Sequence, residues 1–142
     1  MNATTASDAA HSSFLDSSMI VRYLVGDNPV QSARARSIVE TGDRLAITPG
    51  TVTEVGYVLS RIYEIVRDEI VDQLVALLQR ENIIVHELDT GLVVSALLLC
   101  RPSGRVSFAD AMLWAAARSA GSGSVVYTFD RRFPSTGIET RS

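Results

Sequence analysis

The chain has 142 residues, of which 46% are hydrophobic and 20% charged, and its net charge is -3. A chain of this size and composition is expected to fold as one domain around a full hydrophobic core, which excludes a disordered protein and a disulfide scaffold. The negative net charge also excludes a globally basic surface that would hold a polyanion.

The compartment is indicated by what the chain lacks. Its single cysteine, Cys100, can form no internal disulfide, which is consistent with a reducing cytoplasm. No segment approaches the roughly 18 consecutive apolar residues of a membrane span, and the N-terminus lacks a signal-peptide pattern. Residues 1–12 are small and polar, so they are interpreted as a flexible leader that precedes a single domain over residues 13–142.

Apolar periodicity, caps and helix breakers predict alternating strands and helices. The first predicted elements are a strand over Ser13–Leu15 and a helix from Met19 to about Val25 that is capped by Ser17 or Ser18. A second helix is predicted from Pro29 to near Gly42, and its apolar face consists of Ala33, Ala35, Ile38 and Val39. A strand over Leu45–Thr48 follows. This half of the chain thus contains two of the predicted strands.

The second half continues the alternation. It begins with a predicted helix that Pro49-Gly50-Thr51 opens, with Val52, Val55, Val58, Leu59 and Ile62 on one face. An amphipathic helix from Arg67 and a strand over Ile83–Val85 follow. The last predicted elements are a helix over Leu92–Cys100 capped by Asp89, a helix from Ser107 to about Ala120, and a strand over Ser124–Phe129. Such alternation favours an α/β fold, a three-layer α/β/α sandwich with a central, mainly parallel sheet.

Four acidic residues stand at the edges of apolar segments, where a lone buried carboxylate is costly: Asp16, Glu54, Asp110 and Asp130. Asp16 and Asp130 directly follow predicted strands, and the other two lie in first turns of predicted helices. In open α/β sheets the functional crevice lies beyond the carboxyl ends of the strands. Four carboxylates that meet there would repel one another unless a cation lay among them, so the pattern points to a metal site.

Local structural roles can explain each acid separately. Thr51-x-x-Glu54 and Ser107-x-x-Asp110 both match the capping box, in which an acid at the third helical position helps to satisfy free backbone donors. Asp16 can equally cap the next helix, and Asp130 can form an Asx turn. These roles do not explain why all four acids are expected at one edge of the sheet.

Other kinds of site are disfavoured. His11 and His86 have no second histidine or cysteine at ligand spacing, which argues against zinc. Ser17 lacks a positioned histidine, which argues against a serine hydrolase. Arg22 lies on the helix that leaves Asp16 and could face a phosphate, although a solvated position is equally compatible with the sequence.

Four motifs together resemble the PIN-domain nucleases, and most closely the VapC toxins of type II toxin-antitoxin systems. The motifs are Phe14-Leu15-Asp16-Ser17-Ser18, Thr53-Glu54-Val55, Phe108-Ala109-Asp110-Ala111 and Tyr127-Thr128-Phe129-Asp130-Arg131-Arg132-Phe133. The resemblance covers about Ser13 to Phe133. One departure is in the first motif, where the family commonly has Asp-Thr-Asn, so that a supporting role for Ser18 is in doubt.

The resemblance implies an endoribonuclease that uses Mg²⁺ or Mn²⁺ and leaves 5′-phosphate and 3′-hydroxyl ends. It carries the catalytic role onto Asp16, Glu54, Asp110 and Asp130. Of these, Asp16, Asp110 and Asp130 are the expected metal ligands, and Glu54 is expected to orient or deprotonate water. Hard oxygen ligands suit these ions. The expected substrate contacts are Ser17, Arg22 and Thr128.

The resemblance further implies a prokaryotic, cytoplasmic toxin that cuts RNA, forms a homodimer and is neutralised by a VapB-type antitoxin. Two alternatives stay open. One is a PIN-like module that binds RNA or a protein without cutting. The other is a PIN nuclease that acts in RNA maturation or on DNA.

Overall fold

The structure is a computed structural model that describes residues 13–142, so the predicted leader over residues 1–12 lies outside the described part. The described residues form six α-helices and five β-strands. In chain order these are β1 (Ser13–Phe14), α1 (Ser17–Leu24), α2 (Pro29–Val39), β2 (Leu45–Ile47), α3 (Pro49–Arg61), α4 (Arg67–Leu78), β3 (Ile83–Val85), α5 (Thr90–Cys100), α6 (Phe108–Ala120), β4 (Val125–Tyr127) and β5 (Glu139–Arg141).

All strand pairs are parallel, as predicted. β2 lies between β1 and β3, with Leu45 in register with both Ser13 and Ile83. β4 and β5 form a second parallel ladder in which Val125 faces Glu139. Parallel ladders combined with helical crossovers give the α/β sandwich that the sequence predicts.

The strand β5 is absent from the sequence prediction. Its three residues are all exposed, so it has no apolar run that would reveal it. Its pairing is instead tertiary, because the backbone N–H of Thr128 donates to the carbonyl oxygen of Arg141 at 2.8 Å and extends the ladder.

The core is built from the predicted apolar faces, with two exceptions. In α3 the side chains of Val52, Val55 and Leu59 are buried, as predicted, but Ile62 lies beyond the end of the helix and is 68% exposed. In α2 Ala33 is exposed, whereas its neighbours on the predicted face are buried or half-buried. Among residues 13–142, no helix has the length and apolar composition needed to cross a membrane.

The structure shows which residues cap α1 and α3. The cap of α1 is Asp16, whose side chain accepts from the Ser18 N–H, so the Asp16 alternative is confirmed and the Ser17 or Ser18 alternative is wrong. Helix α3 begins at Pro49, as predicted, and its cap is Thr48 rather than Thr51, the cap that the capping-box pattern implies. Thr48 directly follows β2 and Asp16 follows β1 by two residues, so in both cases the chain passes from the sheet into the helix without a long loop.

Candidate functional site

Asp16 stands where β1 ends and α1 begins. The Leu15 N–H still donates to the Ala46 carbonyl oxygen at 2.9 Å, so the ladder with β2 runs up to this residue. The exposed Asp16 carboxylate accepts from the Ser18 hydroxyl at 2.8 Å and from the Ser18 N–H at 3.4 Å. The hydroxyl bond is the main cause that lowers the pKa of Asp16 below its ordinary value, so the group is ionised at neutral pH.

Glu54 has no capping role, so the capping-box hypothesis is wrong for this residue. The Thr48 hydroxyl oxygen accepts from the Thr51 N–H at 3.1 Å, which makes Thr51 the third helical residue and puts Glu54 in the second turn of α3. Glu54 is exposed, between the half-buried Thr53 and the buried Val55. Within the described chain its carboxylate forms no ion pair, and helix geometry does not account for its presence.

Asp110 lies in the first turn of α6, where the Ser107 side chain accepts from its backbone N–H at 3.0 Å. The Ser107 half of the predicted capping box is therefore present. The Asp110 side chain is half-buried and close to the thiol of Cys100. Burial is the main cause that raises the pKa of Cys100 to about 11, and the negative charge of Asp110 raises it further.

Asp130 forms the Asx turn that the sequence predicts. Its Oδ1 accepts from the Arg132 N–H at 2.9 Å, and its own backbone N–H donates to the Thr128 hydroxyl oxygen at 3.0 Å. Thr128 is half-buried and is anchored to β5 through its backbone, so it holds the turn in which Asp130 is exposed. The structure thus assigns Thr128 a contact with the Asp130 backbone.

A continuous series of packed elements connects the four acids. Helix α1 packs against α3, α3 packs against α6, and α6 packs against β4, the strand that leads to Asp130. None of the four acids forms an ion pair within residues 13–142. Their carboxylate oxygens are the hard donors that suit Mg²⁺ or Mn²⁺.

The acids are not gathered into a closed cage. Among the described residues, no three acidic, histidine or cysteine side chains are close enough together to hold a metal ion. Like charges repel one another when no cation lies between them. The donor chemistry therefore fits a divalent ion, whereas the side-chain arrangement is open.

Arg22 makes contacts other than those expected from the sequence. Its NH1 donates to Asp27 Oδ1 at 2.9 Å and to the Tyr63 hydroxyl at 2.8 Å, and its Nε donates to Gln31 Oε1 at 2.8 Å. The hydrogen bond with Tyr63 is the main cause that raises the pKa of Arg22. Arg22 thus joins α1 to the start of α2 and to the end of α3. Ser17, the other predicted contact on α1, is buried.

Arg67 supports the site but is missing from the sequence prediction. Its NH1 donates to the Cys100 and Val106 carbonyl oxygens at 3.3 and 3.1 Å, and its guanidinium lies 4.8 Å from the centre of the Phe108 ring. These contacts tie α4 to the segment that leads into α6, where Asp110 lies. The partners are 33 and 39 residues away in sequence, so no local pattern could reveal them.

Comparison with known families agrees with this architecture. The PIN domain model matches residues 13–139, which is nearly all of the chain. Domains of this family are generally nucleases that act on RNA or DNA, and they typically bind divalent metals. The chain has no significant match among curated proteins. Because the match spans almost the full length and the fold agrees with it, the chain belongs to the PIN domain family.

Proposed function

We propose that this PIN domain is an endoribonuclease of the VapC toxin type that hydrolyses RNA phosphodiester bonds with Mg²⁺ or Mn²⁺. The observation that carries the proposal is the series of packed elements α1, α3, α6 and β4, which bear four acids that form no ion pairs within residues 13–142. Three of the acids are exposed and one is half-buried, so their carboxylates are accessible to a metal ion.

The acids take unequal roles. Asp16, Asp110 and Asp130 would hold the metal, which would have to draw their carboxylates closer together than they lie without it. The bound metal would supply an activated water and neutralise charge on the phosphate. Glu54 orients the attacking water and accepts its proton, a role that suits an exposed carboxylate with no capping role. The lowered pKa of Asp16 extends the pH range over which this ligand is ionised towards more acidic solution.

The substrate contacts proposed from the sequence are supported to different degrees. Thr128 is well situated, because its hydroxyl already contacts the Asp130 backbone. Ser17 is buried beneath the acid, which suits support of Asp16 through the backbone better than contact with RNA. The Arg22 guanidinium is bound to Asp27 and Tyr63, so its contribution to RNA binding is a fixed positive charge.

Metal-dependent cleavage of RNA by the purified protein tests the proposal. Asp16→Asn and Asp110→Asn should each lower the Mn²⁺-dependent rate about 100-fold or more, because a ligand charge is lost. Asp43→Asn is the matched control, since Asp43 is exposed and precedes β2 at the opposite edge of the sheet. Equal cleavage by all three variants would overturn the proposal.

A toxin role is a separate part of the proposal and is supported by the motif resemblance. For a toxin, induction in a bacterial host should arrest growth, and Asp16→Asn should relieve the arrest. A VapB-type antitoxin should then be encoded directly upstream, and the toxin should be a homodimer in solution. Growth that continues while active enzyme accumulates would instead select a PIN nuclease of RNA maturation or, if DNA is the better substrate, of DNA processing.

The open arrangement of the acids favours a second candidate, a module that binds RNA or a protein without cutting. No three potential ligands in residues 13–142 are close enough together to share a metal. RNA binding with no metal-dependent product would select this candidate over the nuclease.

A further inference from the structure

A cavity of about 360 Å³ lies between the first two helices. It is lined by Ser18, Met19 and Arg22 of α1 and by Val30, Gln31 and Arg34 of α2. These residues recur three and four positions apart, so each set lies on one helix face, and the two faces oppose each other.

The cavity adjoins the first candidate acid. Ser18 lines it, and the hydroxyl of the same residue donates to Asp16 Oδ2 at 2.8 Å. A group that contacts Ser18 in the cavity is therefore separated from the Asp16 carboxylate by the Ser18 side chain. A nucleic-acid strand whose scissile phosphate is at Asp16 would have its neighbouring nucleotide in this position.

The lining has two guanidinium groups and no carboxylate, in a chain whose net charge is -3. The two arginines differ in their contacts. Arg22 is held by Asp27 and Tyr63, whereas Arg34 is exposed and has no hydrogen-bond or ion-pair partner among residues 13–142. Arg34 is thus free to make a bidentate contact with a phosphate.

The cavity also presents apolar surface. Met19 is half-buried and Val30 is 81% exposed, so their side chains contribute a non-polar wall beside the guanidinium groups. A wall of this kind accepts a ribose or base, while the adjoining cation accepts the phosphate. The combination fits a nucleotide better than it fits an isolated anion.

We infer that this cavity binds the nucleotide that adjoins the scissile bond of a single-stranded RNA, with Arg34 as the phosphate contact. The inference rests on the proposed function for the location of the scissile bond. It adds a residue, Arg34, that the motifs do not include, and it assigns α2 a part in substrate binding.

The experiment compares binding of a short fluorescein-labelled single-stranded RNA, measured by anisotropy in EDTA, so that no cleavage intervenes. Arg34→Gln should weaken binding about fivefold, the effect of an exposed charge-assisted contact. It should also reduce the slope of log K against log salt by about 0.7, the loss of one phosphate contact. Arg44→Gln is the charge-matched control, because Arg44 is exposed and precedes β2 at the opposite edge of the sheet.

Equal RNA affinity for the parent, Arg34→Gln and Arg44→Gln would overturn the inference, as would equal losses in both variants. The same anisotropy measurement with a fluorescein-labelled acidic peptide tests a protein partner instead. If Arg34→Gln weakened binding of the peptide but not of the RNA, the inference would be overturned in favour of that partner. If the nuclease proposal alone failed, the result would be different. Arg34→Gln would still weaken RNA binding, but neither the parent protein nor any variant would cleave RNA with Mn²⁺. The melting temperature of each variant shows that the fold is retained.

Discussion

A β-carbon placed on Gly56 would lie 2.6 Å from Cδ2 of Phe108, so α3 and α6 meet where a glycine touches a phenyl ring. Glu54 lies two residues before this glycine, and Asp110 lies two residues after the ring. The contact therefore sets the separation of the two helices that bear these acids. Arg67 covers the same ring, at 4.8 Å from its centre.

Gly56→Ala should destabilise the protein, although alanine is the better helix former. The steric cost of a group forced against a packed ring is about 1–3 kcal/mol, which exceeds the gain of about 1 kcal/mol in helix propensity. Urea denaturation measures the difference. Gly50→Ala is the control in the same helix, because its β-carbon would have only Thr48 Oγ1 at 3.9 Å. Equal stability of the two variants would contradict the prediction. Adding Phe108→Leu to Gly56→Ala should partly restore the lost stability.

Tyr63→Phe should lower the free energy of unfolding by about 1–2 kcal/mol, because one hydroxyl serves two charged partners. It accepts from Arg22 at 2.8 Å and donates to Asp27 Oδ2 at 2.8 Å. The hydrogen bond from the Tyr63 hydroxyl is also the main cause that lowers the pKa of Asp27. The pKa of Asp27 should therefore rise in the variant. Tyr57→Phe, at a side chain 58% exposed, should change neither quantity. An unchanged Asp27 titration in the Tyr63 variant would refute this role.

Ser18→Ala should raise the pKa of Asp16, as followed by an NMR titration of its carboxyl. The folded-state pKa of Asp16 lies below its ordinary value of 3.8, so the ionised group stabilises the fold above that pH. This contribution is lost as the pH falls through the folded-state pKa. The stability difference between parent and variant should therefore be present at neutral pH and disappear in strong acid. Ser37→Ala, at an exposed position of α2, should leave the titration unchanged.

Millimolar Mn²⁺ should raise the melting temperature of the parent protein at neutral pH. A ligand that binds only the folded state stabilises it by about 2.7 kcal/mol when its free concentration is 100 times Kd. Asp110→Asn should reduce the shift, because it removes a proposed ligand, whereas Asp43→Asn should retain it. A parent melting temperature that does not respond to Mn²⁺ would count against a metal site.

Most of the fold is readable from the sequence because burial imposes a period on apolar residues. In α4 the stripe that contains Ile70, Leu74 and Leu77 is buried as its spacing predicts. The exposed strand β5 has no such pattern, and Ile62 fits the helical spacing of α3 but lies past its last turn. The strand β5 differs from the prediction because its pairing with β4 is tertiary, and Ile62 differs because the helix ends at Arg61.

The features of the candidate site likewise divide into those that are visible in the sequence and those that are visible only in the structure. The sequence indicates the family correctly, and it predicts the four acids and their order along parallel strands and helices, because motif residues and apolar runs are local features. The structure adds that Thr48 rather than Thr51 caps α3, that Arg22 is bound to Tyr63, and that Arg34 lines the same cavity as Ser18 with no hydrogen-bond or ion-pair partner among residues 13–142. The bond between Arg22 and Tyr63 and the lining of the cavity depend on which helix faces meet, and a single strand or helix does not encode that choice.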